Sequence, residues 1–400
     1  MATTSDHTDE TVEVRVCVAA TIALTVEVFY RGQFDHLFAK GFRFTVLTGP
    51  DGWHEVPLPP HVRQVVMPLR WSMSPLQDLL AVWKMVWFFR RNRFDLVQYC
   101  TPKAALLVSL AAFLAGVPQR LYLMWGIYYV AQSGWRRRIF KSMEKLACRL
   151  STHISPDSQS NREFAAREGL FPLSKSSVVG SGSANGIDLR RFDPSALADG
   201  RRRIRQEWDI PDGAFVFGSV MRLIRDKGVN ELVKAFDLIS RNVESAYLLL
   251  VGSQEGSSHL DQETQAILAS NTRIRRTGRQ ADVAPYYTAM DLFVLPTYRE
   301  GFGVVNLEAA AMCLPVITTD TDGVRESIEP GVTGLLVPVR AVEPLRQAML
   351  TLMSDPQRRA DMGRAGRRRV QEKFEQSIFW HALELHRRQL LNRPSAATPI

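Results

Sequence analysis

Apolar residues along this chain fall into short uninterrupted runs separated by longer stretches with helical periodicity. Val14–Thr21, Phe42–Thr48, Phe94–Cys100 and Leu121–Trp125 are strand-like. The alternation returns at Ala214–Met221, Ala246–Gly252, Leu292–Thr297, Pro315–Asp320 and Thr333–Val337. Strands alternating with helices predict a parallel sheet covered on both faces, and here the pattern occurs twice. Turn-forming residues at Gly180–Gly186, then Phe192-Asp193-Pro194 and the polar segment to Arg203, predict a linker. The expected organisation is a first α/β domain over residues 1–185, a second over 186–373, and a closing helix over 374–400. In the last segment Ile378, Phe379, Ala382, Leu383 and Leu391 share a helical period, and Pro394–Ile400 is expected to fray.

Two domains also suit the length of 400 residues, and 46% hydrophobic with 23% charged residues excludes a disordered or fibrous chain. Fifty Lys and Arg against 41 Asp and Glu leave a net charge of +9. That excess attracts anions, whether nucleotides, phospholipid headgroups or nucleic acid, without choosing among them. Cys17, Cys100, Cys148 and Cys313 stand far apart with no C-x-x-C spacing, so neither a disulfide framework nor a zinc site is signalled and a reducing cytoplasm is expected. Met1–Glu10 is polar and acidic, unlike a secretory signal. Ala104–Val117 is shorter than the ~20 residues that cross a bilayer and predicts a buried helix.

The richest chemistry lies in Tyr298–Met312, YREGFGVVNLEAAAM, directly after a strand-like run. Gly301 and Gly303 let the backbone turn tightly and approach a ligand. The first turn of the next helix then offers free N–H groups suited to a diphosphate. Glu300 falls in the turn and Glu308 about two helical turns on, where carboxylates can accept hydrogen bonds from sugar and ribose hydroxyls. Ala309–Ala311 predicts close helix packing. A second feature, Gly218-Ser-Val-Met-Arg222-Leu-Ile-Arg225-Asp226-Lys227-Gly228, joins another strand to a helix. Arg222 and Lys227 there form a candidate clamp for a diphosphate and for the charge that builds as it leaves.

Together these motifs resemble the retaining glycosyltransferases of family 4, which have the GT-B fold: two Rossmann-like doubly wound parallel-sheet domains facing across a cleft. The likeness rests on Glu300 with Glu308, on Arg222 with Lys227-Gly228, and on Gly180–Asp188, Phe192-Asp193-Pro194, Asp291–Pro296, Gly323–Glu326 and Gly331–Pro338. It implies a nucleotide-sugar donor in the second domain and an acceptor in the first, with no metal and no other cofactor. By that resemblance Arg222 and Lys227 hold the diphosphate, Glu308 binds the ribose, and Glu300 faces the sugar. Backbone amides of Gly301, Phe302, Gly303 and Val304 contact the sugar and distal phosphate, and Arg279-Gln280 borders the base. Uridine is the expected base and a hexose or N-acetylhexosamine the expected sugar.

Arg31-Gly32-Gln33, Thr101-Pro102-Lys103 and Trp125-Gly126-Ile127 are similar to a subgroup that builds bacterial capsule, exopolysaccharide or O-antigen units on polyprenyl-diphosphate carriers. Many members carry histidines in the stretches that here hold Gln98, Cys100 and Trp125. Trp83–Arg93 and Trp135–Lys145 interleave aromatic and basic residues, as suits an anionic membrane surface at the cytoplasmic face. The alternative is a solvated helix whose tryptophans pack inward. Asp320-Thr321-Asp322 matches the Asp-x-Asp of another transferase fold, but a strand-end turn explains it equally, and His153 is expected to be a packed residue. Two other functions fit parts of the pattern: a nucleotide-sugar epimerase of the same fold class, and a basic module for nucleic acid. The first domain lacks an obvious acid–base set, and no nucleic-acid motif occurs.

Overall fold

A computed structural model describes residues 13–50, 57–70, 74–254 and 260–392. In the first half the strands are β1 (Val14–Ala19), β2 (Phe42–Thr48), β3 (Arg63–Val66), β4 (Leu96–Tyr99), β5 (Gln119–Met124) and β6 (His153–Pro156). They pair in parallel in the order β3-β2-β1-β4-β5-β6. The second half holds β7 (Phe215–Val220), β8 (Ala246–Val251), β9 (Ile274–Arg276), β10 (Leu292–Leu295), β11 (Val316–Thr319) and β12 (Gly334–Val337). Their order, β12-β11-β10-β7-β8-β9, repeats that of the first sheet when read from its other edge. Strand order reverses between β1 and β4, and again between β7 and β10.

Helices of the first half are α1 (Ala23–Phe29), α2 (Gln33–Phe38), α3 (Pro75–Asn92), α4 (Pro102–Leu114), α5 (Gly134–Leu150) and α6 (Gln159–Arg167). Right-handed crossovers put α3, α4 and α5 on one face of the sheet and α1 and α2 on the other. β1 shows the consequence: Cys17 and Ala19 join the core under α3–α5, while Val16 and Val18 join the core under α1 and α2. α4 takes up the apolar run from Ala104 to Leu114, stopping three residues short of Val117, and buries Ala104, Ala105, Leu107 and Val108.

The second half adds α7 (Gly200–Glu207), α8 (Val229–Ser240), α9 (Gln262–Ser270), α10 (Ala284–Thr288), α11 (Val304–Ala311), α12 (Val342–Ser354), α13 (Pro356–Lys373) and α14 (Gln376–Leu391). α11 packs closely on α13 because small residues meet: a side-chain carbon at Gly366 would lie 3.2 Å from that of Ala310. α14 returns to the first sheet. Its Phe379, Leu383 and Leu390 enter the core with Tyr30, Phe34 and Phe44, and such burial stabilises by roughly 1.5–3 kcal/mol per side chain.

β3 and β9 have no counterpart in the hydrophobic pattern. Both are edge strands of three or four residues, carry arginines and are partly exposed, so they lack the apolar run that marks the inner strands. Pro394–Ile400 lies outside the described residues.

Candidate functional site

Open parallel sheets form their ligand crevice beyond the carboxyl ends of the strands where the order reverses. In the second sheet those strands are β7 and β10, and their outgoing loops carry Arg222 with Lys227 and Glu300 with Gly301. Gly228 has φ 73°, and a side-chain carbon there would strike the Pro296 carbonyl. Glycine therefore lets the two loops touch. Asp226 joins them: its carbonyl accepts from Tyr298 N–H (2.9 Å) and Thr297 Oγ1 (3.2 Å), and its carboxylate pairs with Arg299 (3.1 Å). The outcome is an ion pair in which Lys227 Nζ donates to Glu300 Oε1, both side chains largely covered.

Gly303, at φ 79°, turns the chain into α11. Phe302 is buried and packs 5.4 Å from Phe374, which fixes the turn from behind. Glu308 sits on α11 with Oε2 accepting from Tyr287 O–H at 2.7 Å. Burial lifts its carboxyl to about 7, against the opposing pull of the Tyr287 bond and of Arg191. Arg222 is exposed two residues beyond β7. Arg279 and Gln280 follow β9, where a Gly252 N–H to Gly278 carbonyl bond of 3.0 Å holds their loop beside the end of β8. Arg279 is exposed, and Gln280 Nε2 donates to the Thr277 carbonyl at 2.8 Å. The structure thus joins Lys227 and Glu300 directly and sets Arg222 and the Arg279-Gln280 loop along the same carboxyl edge, while Glu308 lies just over one turn into α11.

The first half reaches into this site with residues the motifs did not flag. Asn161 Nδ2 donates to the Gly301 carbonyl at 2.7 Å, and Ser158 Oγ to the same oxygen at 3.3 Å. Ser160 Oγ accepts from Gly323 N–H at 2.8 Å. Glu326 accepts from Gln159 N–H (2.9 Å) and Ser160 N–H (2.5 Å), so a carboxylate of the second half caps α6 of the first. Asp157 is buried beneath Gly301, whose added side chain would run into its carboxylate. Burial raises Asp157 from an ordinary 3.8 to about 8, and the nearby charges of Glu300 and Glu326 push the same way. The only sequence signal for this group is a polar Asp-Ser pair after a buried strand, which resembles a helix cap.

Around Gln98 the chain holds a buried polar network. Gln98 Nε2 donates to Tyr30 Oη (2.8 Å), and Arg387 Nη2 of α14 donates to Gln98 Oε1 (2.8 Å) and Gln33 Oε1 (3.2 Å). Trp125 packs 4.8 Å from Phe29. Cys100 Sγ lies 3.9 Å from the Ala19 carbonyl. Arg387, Asp157, Tyr30 and Ser183 line one cavity of ≈ 20 Å³. Among the described residues Arg387 Nε and Nη1 have no hydrogen-bond partner, and burial lowers the guanidinium to about 10. Asp320 and Asp322 both pair with Arg325, at 3.3 and 3.5 Å. His153 is buried in β6, its Nε2 2.7 Å from Ser177 Oγ.

Sequence comparison meets this geometry. The family model described as glycosyl transferases group 1 matches residues 200–369, and the glycosyl transferase 4-like domain matches residues 25–182. The capsular polysaccharide biosynthesis glycosyltransferase CapM of Staphylococcus aureus is 30% identical over 354 residues, covering 88% of this chain and 92% of that protein. The chain belongs to the family 4 glycosyltransferases. A further family relative, the Escherichia coli UDP-Gal:alpha-D-GlcNAc-diphosphoundecaprenol alpha-1,3-galactosyltransferase, is 25% identical over 71% of this chain and 73% of its own length. The glycosyltransferase fold is also that of Anabaena Alr3699/HepE, solved with UDP and glucose, at TM-score 0.77 and 20% identity over 94% of this chain and 100% of that one. Sucrose-phosphate synthase from Thermosynechococcus elongatus superposes at TM-score 0.76 with 22% identity, over 94% and 99% of the two chains. The two facing Rossmann-like units are therefore a GT-B fold.

Proposed function

We propose that this glycosyltransferase moves a sugar from a UDP-sugar to a polyprenyl-diphosphate-linked glycan in surface polysaccharide synthesis, with retention of configuration and without a metal ion. The Lys227–Glu300 pair at the β7/β10 crevice carries this reading. It sets a cation and a carboxylate side by side where a diphosphate would meet its sugar. When the donor enters, Lys227 and Arg222 would grip the phosphates beside the amides at the start of α11, and Glu300 would accept from sugar hydroxyls. Glu308 would take the ribose hydroxyls, and Arg279-Gln280 would border the base. The bond from the anomeric carbon to the phosphate oxygen breaks as the acceptor oxygen attacks the same face. The acceptor proton passes to the leaving phosphate oxygen, releasing UDP. Two cations in a partly enclosed site stabilise the negative charge that grows on that oxygen, which is where such groups act most strongly.

The names of relatives support the carrier: the E. coli enzyme acts on a diphosphoundecaprenol, and so does a Campylobacter jejuni N-acetylgalactosaminyltransferase 23% identical to this chain. We place the reaction at the cytoplasmic face of a membrane. The four cysteines are free, as suits a reducing compartment, and among the described residues no helix is long and apolar enough to cross a bilayer. A thermal-shift screen of nucleotide sugars with and without EDTA tests the reading. A UDP-sugar that stabilises equally in both conditions, and is consumed only when lipid-linked acceptor is added, fits it. Stabilisation lost on chelation, or donor isomerised without acceptor, would overturn it.

A further inference from the structure

α3 and α5 each carry an apolar stripe that the fold leaves uncovered. On α3 the stripe is Leu76, Leu79, Leu80, Trp83 and Trp87, with Leu76 83%, Trp83 66% and Trp87 59% exposed. These positions share one side of the helix, while Val82, Met85, Phe88 and Phe89 fill the core from the other. On α5 the outward residues are Trp135, 68% exposed, with Ile139 and Leu146. Both tryptophan-bearing segments therefore face solvent, not the core.

The charge around the stripes has one sign. Lys84, Arg90, Arg91, Arg136, Arg138, Lys145 and Arg149 are exposed, and no exposed residue of either helix is acidic. The two acids these helices possess are engaged elsewhere: Asp78 pairs with Lys103 at 2.6 Å, and Glu144 is buried and accepts from Tyr122 O–H. Arg91 lies 5.2 Å over the Trp87 ring and Arg136 5.6 Å over Trp135. α4 packs between the two helices, so both stripes belong to one side of the first sheet.

Topology also orients this surface. Helices in parallel units begin where strands end, which is the cleft side. Gly126, just beyond β5, meets Gly301 of the second half, and the Asp78–Lys103 pair ties the starts of α3 and α4 together. Leu76, Leu79, Trp83, Trp135 and Ile139 thus lie in the halves of α3 and α5 nearer the cleft.

We propose that the outer faces of α3 and α5 form one docking surface for an anionic phospholipid bilayer, with its apolar end at the cleft mouth. A lipid-linked acceptor then enters the cleft without leaving the membrane. This second step rests on the acceptor proposed above; the docking does not. A bilayer satisfies both components, with rings and leucines at the acyl boundary and cations among the headgroups. A second copy meeting the same face would set these cations against one another.

The test is cosedimentation with phosphatidylglycerol and with phosphatidylcholine vesicles. Wild-type enzyme should bind the first, release in high salt, and bind the second weakly. Trp83→Ser/Trp135→Ser should weaken binding to phosphatidylglycerol by about tenfold or more, since the aromatic anchors supply much of such affinity. UDP titration of the same variant reports that the fold persists. Wild-type enzyme remaining in the supernatant, or a variant that sediments as wild type does, would refute the surface. So would a wild-type dimer by light scattering that the substitutions dissolve. Docking without any sugar transfer would remove the acceptor proposal and leave the surface standing.

Discussion

The two halves of this glycosyltransferase share one strand order but use the carboxyl edge of the sheet differently. In the second half the loops after β7 and β10 present Arg222 with Lys227 and Glu300, charged groups on two short loops that the fold brings together and glycines let touch. In the first half the corresponding edge is closed by Gln98, Gln33 and Tyr30 around Arg387, a cation delivered by the last helix. A topology therefore sets where a site can form, while the loops decide whether it grips a charged ligand or is plugged. The asymmetry fits the proposed assignment of a diphosphate donor to the second half and an acceptor to the first.

The strongest way to break the comparison is to remove the charged pair. Lys227→Ala and Glu300→Ala should each lower sugar transfer by about 10²–10³-fold, the loss typical of a missing transition-state partner, with circular dichroism unchanged. Near-normal turnover would place the chemistry elsewhere. Gly301→Ala tests the contact between the halves. Its new methyl meets the Asp157 carboxylate, and displacing the Glu300 loop by about an ångström should cost roughly a hundredfold in kcat/KM.

How much of this was legible in the sequence follows from the range of each interaction. The inner strands announce themselves because both their faces are buried, and the loops proposed for the donor do because Lys227-Gly228 and Glu300–Gly303 are compact motifs. Asp157 is silent because its partner, Gly301, is brought to it only by the closed fold, and Arg387 because Gln98 lies 289 positions away. Trp83 and Trp87 were ambiguous for another reason. Both sides of α3 are apolar, so periodicity alone does not tell the stripe formed by Val82, Met85 and Phe89 from the one left in solvent.

Smaller effects sharpen the contrast in the first half. Arg387→Ala should cost about 2–4 kcal/mol in chemical denaturation, since it opens a cavity and strands two amide oxygens. Arg387→Met should cost less, because the buried charge is incompletely paired and methionine retains much of its volume. Equal losses would mean that the charge itself holds the half together.

Asp157→Asn should change how stability depends on pH. The folded carboxyl keeps its proton to about 8 while the unfolded one loses it near 3.8. The folded state therefore binds the extra proton between those values, and stability falls as pH rises through that window. The asparagine variant should show a flatter stability profile from pH 4 to 8, read by urea titration; an unchanged slope would assign the wild-type decline to other groups.

Calorimetric titration of UDP in the presence of EDTA, comparing wild-type enzyme with Lys227→Ala, bears most directly on the proposal of a metal-free donor crevice. Clear binding by wild type, weakened about tenfold or more by the loss of one charge-assisted contact, is the predicted result. Binding that needs a divalent ion, or that is identical in the two proteins, would contradict it.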